Sequence, residues 1–352
     1  MLNIREEIER EENEILSPYA CRAAQSRGRE TEETPDPVRT CFMRDRDRVI
    51  HSKSFRRLKH KTQVFIAPDN DHFRTRLTHT LEVNQIARTI GRGLRLNADL
   101  LEAIALAHDC GHTPFAHVGE EVLDRLLPDG FRHNENSVRV LTRIEQGSSG
   151  RGLNLSWEVL DGVLWHSGLD EQPGTAATLE GQVIRLSDKI AYIQHDIDDS
   201  IRAGYLRPED IPAGYRLVLG HTHSERIATL VLSVIRQTRE VMAAAGDVKV
   251  ELSAEVGQAL AGLRNFMFEQ VYQGPRCREE RERAARIVEY LFHYYLERPE
   301  LMPAFYRRIG EEEGLSRAVA DYISGMSDNY CIDRFKHITI PGCGNGANGE
   351  RE

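Results

Sequence analysis

Three short stretches of this chain carry residues whose types and spacing could hold a metal ion: His79, then the dipeptide His108-Asp109, then Asp188. His79 shares a helical face with Val83, Ile86 and Ile90, at offsets of four, seven and eleven. His108 follows Ile104 by four residues and Leu101 by seven, and Asp188 lies four after Ile184 and four before Tyr192. These side chains should therefore point inward, and a carboxylate in a core costs several kcal/mol unless something compensates it. A bound cation is the natural compensation. Adjacent side chains on a helix diverge by about 100°, so His108 and Asp109 can share an ion most easily where their helix ends. Gly111 and Pro114 end it there, and the negative end of the helix favours a cation. Taken singly, each residue reads as a hydrogen-bonded core histidine or an arginine-paired aspartate. Taken together, two imidazoles and two carboxylates form a mixed N/O set that suits Mn²⁺, Mg²⁺, Fe²⁺ or Zn²⁺ and leaves positions open for water and substrate oxygens.

The elements that must position this set are helices. Apolar residues recur at helical spacing from Thr78 onward, as in Leu81, Val83, Ile86, Ala87 and Ile90 and then Leu100, Leu101, Ile104 and Ala107, and again over roughly 120–127, 134–146, 155–166, 176–202, 224–244, 252–273, 279–297 and 315–335. Alternating β-branched runs are scarce, so the expected class is all-α. Residues 1–40 read as a charged N-terminal segment, 41–205 as the catalytic core, 206–338 as a C-terminal helical part packed on it, and 339–352 as a disordered, Gly/Asn-rich tail.

Composition narrows the function. The 352 residues carry 46 Lys+Arg against 55 Asp+Glu, a net charge of −9, which fits a soluble protein with little general attraction for polyanions. The longest apolar stretch, around Ile227 to Ile235, is far short of the roughly 20 residues that span a bilayer. The Glu-rich start lacks the pattern of a signal peptide, and six scattered cysteines form no CxxC pair, so a cytoplasmic, reduced protein is expected. Neither a phosphate-binding P-loop nor a nucleophile elbow occurs. Against the acidic average, residues 44–61 hold eight Lys/Arg and two Asp. This basic run reads as substrate-phosphate contacts, as an interface or regulatory nucleotide site, or as a solvated face.

A wider set of motifs surrounds the metal residues. It comprises Ser26-Arg27-Gly28-Arg29, Arg44-Asp45-Arg46-Asp47-Arg48, Phe55-Arg56-Arg57-Leu58 through Lys61-Thr62-Gln63-Val64-Phe65, and Thr75-Arg76-Leu77-Thr78-His79-Thr80. Next come His108-Asp109-Cys110-Gly111-His112-Thr113-Pro114-Phe115, His117-Val118-Gly119-Glu120 and His133-Asn134-Glu135-Asn136-Ser137. His195-Asp196-Ile197-Asp198-Asp199 and Asp321-Tyr322-Ile323-Ser324-Gly325-Met326-Ser327-Asp328 complete the series. From about Ser17 to about Arg334 the chain resembles the HD-domain superfamily, and within it the dGTPase-like deoxynucleoside triphosphate triphosphohydrolases.

That resemblance implies an HD-domain helical fold with additional C-terminal helices, and cleavage of a dNTP at the α-phosphorus into deoxynucleoside and inorganic triphosphate. It implies a divalent metal on His79, His108, Asp109 and Asp188, and a catalytic pair in His117 and Glu120. Those two are three residues apart, so they could share a helical face, and an imidazole oriented by a carboxylate can move a proton near pH 7. The resemblance further implies phosphate contacts from Arg76 and His133, with Gln63, Lys189, Tyr192 and Asp196 around the substrate. A Tyr192 ring close to C2′ would exclude ribonucleotides. His112 and His166 stand as candidates behind these residues, each reading as well as a core histidine. Ser187 and Lys189 replace the family's usual alanine and acidic residue around the last metal aspartate, and Asn136 stands where glutamine is common.

Members of that family form oligomers and some respond to dNTPs or single-stranded DNA, so a homo-oligomer and a regulatory dNTP or DNA contact belong to the expectation. Two other readings stand beside it. One is an HD phosphatase or phosphodiesterase acting on nucleoside monophosphates or cyclic nucleotides. The other is a nucleotide- or nucleic-acid-sensing binding module.

Overall fold

The computed structural model describes residues 3–63, 74–147, 150–167, 174–244, 246–272 and 274–341. Val64, Phe65 and the expected tail beyond residue 341 lie outside the described residues. Sixteen α-helices follow one another among the described residues. They are α1 (Ile4–Ile15), α2 (Cys41–His51), α3 (Lys53–Arg57), α4 (Arg76–Leu94), α5 (Ala98–Ala107), α6 (His117–Leu126), α7 (His133–Arg139) and α8 (Trp157–Leu164). The series continues with α9 (Leu179–Arg202), α10 (Ala213–Leu219), α11 (His223–Ala243), α12 (Ala254–Met267), α13 (Pro275–Glu297), α14 (Ala304–Glu313), α15 (Leu315–Ser324) and α16 (Asp328–Thr339). One antiparallel pair, β1 (Gln146–Gly147) with β2 (Gly150–Arg151), is the only sheet among the described residues. The fold is all-α.

Local chemistry sets the helix boundaries. Asn97 caps α5 by accepting from the amides of Asp99 and Leu100, and Thr222 and Glu225 form a reciprocal capping box at α11. The amphipathic run over 315–335 is two helices rather than one. Gly325 weakens continuation, and Ser327 starts α16 by accepting from the Tyr330 amide. Two turns of π-helix, Val140–Ile144 after α7 and Phe268–Tyr272 after α12, depart from the 3.6-residue period.

The apolar side chains form two clusters. The first joins Val83, Ile86 and Ile90 of α4, Leu100, Leu101 and Ile104 of α5, Val159 and Val163 of α8, and Val183, Ile184 and Ile190 of α9 to α11 and α12. The second joins Phe115 and Val118, Val122 and Leu123 of α6 to Val288, Leu291 and Phe292 of α13 and to Val319 and Ile323 of α15. Burying each such side chain stabilises by about 1.5–3 kcal/mol. Helix α6 lies between α5 and α7 in sequence, yet it packs into the second cluster with the C-terminal helices.

The basic run over 44–61 forms α2, α3 and a 3₁₀ turn, and its first half is compensated mostly by charges from outside the run. Arg44 and Arg48 both pair with Glu33, Arg46 reaches Asp47, Asp99 and Glu102, and buried Asp45 is held by Arg29. Lys53, Arg56, Arg57, Lys59 and His60 are exposed, whereas Lys61 is buried. The substrate-phosphate reading therefore fails for Arg44, Arg46 and Arg48, whose charges are spent on neighbouring carboxylates.

A buried polar network docks the N-terminal segment. Glu180 of α9 accepts from the amides of Cys21 and Asn97, and Asn97 donates to Glu12 of α1. Burial pushes the Glu180 carboxyl up to about 7, from an ordinary value of 4.5. A folded-state value above the unfolded one means that the folded protein holds the proton longer. The resulting stabilisation is full below the unfolded pKa and is lost as pH rises through about 7. At about 1.4 kcal/mol per unit, the loss is on the order of 3 kcal/mol. We predict that urea unfolding midpoints fall as pH rises from about 4.5 to about 7 and level off above it, and that Glu180→Gln flattens the fall; an unchanged pH slope in the variant would reject this assignment.

Candidate active site

Helices α4, α5 and α9 bring His79, His108, Asp109 and Asp188 together. His79 lies one turn into α4, and His108 is the residue on which α5 ends, followed by the turn that holds Asp109. His79 Nε2 is 3.0 Å from Asp188 Oδ1 and 3.9 Å from Asp109 Oδ2. His108 Nε2 is 3.5 Å from Asp109 Oδ2 and 3.9 Å from Asp188 Oδ1. His108 Nδ1 lies 2.6 Å from the Ala105 carbonyl, so with Nδ1–H donating there Nε2 is the ring nitrogen that faces the carboxylates. That Nε2 is buried without a hydrogen-bond partner. His79, His108 and Asp109 each offer a donor atom within 4.8 Å of the others, a set that fits a divalent cation, and Asp188, 27% exposed, stands beside the two imidazoles of that set.

Arg76, on the first turn of α4, donates to Asp109 Oδ2 at 2.7 Å. Burial alone would push the Asp109 carboxyl up. The Arg76 guanidinium and the imidazoles of His108, His112 and His79 outweigh it and hold Asp109 well below the usual carboxylate range. Asp188 is lowered to about 2, where hydrogen bonding and charge from His79 overcome the effect of burial.

A second group of side chains stands on α6 and α7. His117 Nδ1 lies 3.1 Å from Glu120 Oε2, and His133 Nδ1 lies 2.9 Å from Glu120 Oε1, with the His133 amide donating to the same oxygen at 2.8 Å. One carboxylate thus orients two imidazoles, and their charge holds it ionised against burial. Glu120 in turn raises His133 above an ordinary histidine despite its burial. His117 remains half exposed. Its helix starts from two residues in left-handed backbone, Phe115 (φ 59°) and Ala116 (φ 56°). Gly119 is required here because a Cβ would come 2.3 Å from the Pro114 carbonyl oxygen. A Cβ at Gly111 would come 2.2 Å from the Ser137 amide, which lets the His-Asp turn rest directly on α7.

Imidazole contacts join the two groups. His166 packs edge-on against both His108 (4.9 Å) and His133 (5.3 Å), and His112 stacks on His133 at 4.5 Å. His166 repeats the device of His108, with Nδ1 2.6 Å from the carbonyl three residues back, that of Val163. Burial lowers His166 to about 3 and holds His112 well below the ordinary range, so both are neutral near pH 7.

Two turns beyond Asp188 along α9, Asp196 is buried and accepts a short hydrogen bond from the Tyr272 hydroxyl, and the Tyr192 and Tyr272 rings stack 6.1 Å apart. Burial pushes Asp196 well above the usual range. His195 is fixed by Glu82 at 3.1 Å and packs 4.9 Å from His79, which links this face to the metal-capable set. Gln63 is buried, its Oε1 unpaired, beside the bridge from Thr62 to Thr75 that leads into α4. Lys189 is half-buried next to Asp188.

Tyr272 and Glu82 carry no signal in the sequence, and Lys61 and Asp328 stand there only as members of longer motifs without a role of their own. Tyr272 sits on a π turn, where helical spacing gives no guide, and Lys61 was one charge among eight in the basic run.

Residues 76–193 match the HD domain family, and residues 250–337 match the phosphohydrolase-associated domain. A deoxyguanosinetriphosphate triphosphohydrolase-like protein of Clostridium tetani is 54% identical over 342 residues, covering 97% of each chain. Its namesake in Caldanaerobacter subterraneus is 53% identical over 340 residues, again 97% of each. That of Clostridium perfringens is 53% identical over 340 residues, covering 97% of this chain and 98% of its own.

The donor geometry predicts that Mn²⁺ raises the melting temperature of the purified protein after chelator treatment. A hundredfold excess over Kd adds about 2.7 kcal/mol. His79→Ala and Asp188→Asn should abolish the shift; equal shifts in both variants would place the ion elsewhere.

Proposed function

The chain belongs to the deoxyguanosinetriphosphate triphosphohydrolase-like proteins, a family of HD-domain hydrolases, and from that membership we propose that it hydrolyses deoxynucleoside triphosphates, dGTP among them, to deoxynucleoside and inorganic triphosphate. The observation that carries the proposal is the joining of the His117–Glu120–His133 group to the His79–His108–Asp109–Asp188 set through His166, with buried Asp196 and the stacked Tyr192 and Tyr272 beyond. A phosphate between the two groups would meet proton-handling imidazole on one side and the cation ligands on the other.

His79, His108, Asp109 and Asp188 would hold a divalent cation, which when bound supplies Lewis acidity at the phosphate oxygens and a site for water. The reaction joins a water oxygen to the α-phosphorus and breaks the bond from that phosphorus to the sugar 5′-oxygen. The departing oxygen gains one proton, and the other water proton leaves with the inorganic product. His117 keeps Nδ1 on Glu120 and handles its proton at Nε2. His133, raised by Glu120, donates to phosphate oxygens, and Arg76 contributes fixed positive charge beside Asp109. Asp196 accepts from a sugar hydroxyl, with Gln63 as a second contact, while Tyr192 closes over the deoxyribose and Lys189 reaches the phosphates.

Product identification tests this. Incubation with each dNTP and Mn²⁺ or Mg²⁺ should release triphosphate and deoxynucleoside; orthophosphate or pyrophosphate in its place would make the protein a different HD phosphatase. His117→Ala should lower kcat by about 10²–10⁴. A Tyr192→Ala variant should gain activity on rNTPs relative to dNTPs, and an unchanged ratio would remove Tyr192 from sugar selection.

A further inference from the structure

His117 and Glu120 belong to a helix that packs with the second apolar cluster, whereas His79, His108 and Asp188 belong to helices of the first. Their relative placement depends on how the two clusters are joined beside the loop 111–116. The junction between α15 and α16 meets that loop through buried polar groups. Asp328, the first residue of α16, accepts from the Phe115 amide through Oδ1 at 3.0 Å and from the Thr62 amide through Oδ2 at 2.8 Å. Lys61, equally buried, donates to the His112 carbonyl by a short bond and to the Ser324 carbonyl at 2.8 Å. Asn136 adds a donor to the Gly111 carbonyl at 2.7 Å and is itself held by Arg317.

The amide that Asp328 holds belongs to Phe115, the first of the two left-handed residues that precede His117. Non-glycine residues keep such backbone only where their surroundings over-determine it. We propose that Asp328, acting with Lys61, is a positioning residue: it locks the Phe115–Ala116 backbone and thereby fixes where the His117 imidazole stands relative to the metal-capable set. This rests on the reading of His117 as the proton-handling group. Asp328 thus acts on the chemistry through the backbone that carries His117.

The test compares Asp328→Ala, Asp328→Asn and Lys61→Met with a control, Tyr295→Phe, which loses the bond from Arg334 inside the second cluster and leaves the junction intact. Each full-length protein is assayed for triphosphate release and for amide hydrogen exchange over residues 113–118. Asp328→Ala should lower kcat about 100-fold, as a misplaced catalytic group does, with KM little changed. Exchange over 113–118 should quicken while α4 and α9 keep their protection. Asp328→Asn retains one acceptor oxygen beside Phe115 and should recover part of the loss, and it stands in with Lys61→Met if the alanine variant does not fold. Wild-type kcat in the Asp328 variants, unchanged exchange over 113–118, or an equal loss in Tyr295→Phe would overturn the proposal. Absence of triphosphate release from the wild type would instead sink the functional reading, and the exchange comparison would still decide whether Asp328 locks the loop.

Discussion

The burial of the Asp109 carboxylate is the constraint around which the molecule is arranged. At 3% exposure it cannot draw on water, and its charge is met by Arg76 at 2.7 Å with imidazoles at 3.5 and 3.9 Å. Opposite charges about 4 Å apart interact by roughly 4 kcal/mol at an effective dielectric near 20, so this compensation is large on the scale of a protein's stability. It holds only while the start of α4, the end of α5 and the middle of α9 keep their relative positions. The packing of Val83, Ile86, Leu101, Ile104 and Ile184 around them serves that end.

A second layer of organisation follows from where α6 packs. The His117–Glu120–His133 group is oriented internally by one carboxylate, Glu120, but the helix that carries His117 and Glu120 is anchored among α13 and α15. The site is therefore assembled at a seam. The seam is polar where it meets the loop 111–116, with Lys61, Asn136, Ser324 and Asp328 all buried and hydrogen-bonded. Such contacts have defined lengths and directions, so they fix geometry in a way that apolar contact alone would not.

Much of the helical architecture was legible in the sequence because apolar periodicity reports which face of a helix is buried. The convergence of His79, His108 and Asp188 was legible for the same reason: each lies on its helix's apolar stripe. What escaped is what periodicity does not encode. Tyr272 lies on a π turn, and α15 and α16 are separate because Gly325 and Ser327 interrupt an otherwise continuous pattern. The basic run showed its charges but not its partners: Glu33 lies outside it, Asp99 and Glu102 are distant in sequence, and Lys61 is spent on two carbonyls. The role of Asp328 depends on a pairing across more than 200 residues, which no local pattern carries.

The double packing also separates recognition from foldability. Residues 76–193, the stretch that matches the HD domain, contain all four metal-capable side chains and the His117–Glu120–His133 group. Cut from the chain, that stretch would turn Phe115, Val118, Val122 and Leu123 out to water, since the helices that cover them lie beyond residue 274. A contiguous apolar face of that kind drives association rather than solubility. The smallest inheritable unit of this chemistry is therefore longer than the segment by which it is recognised.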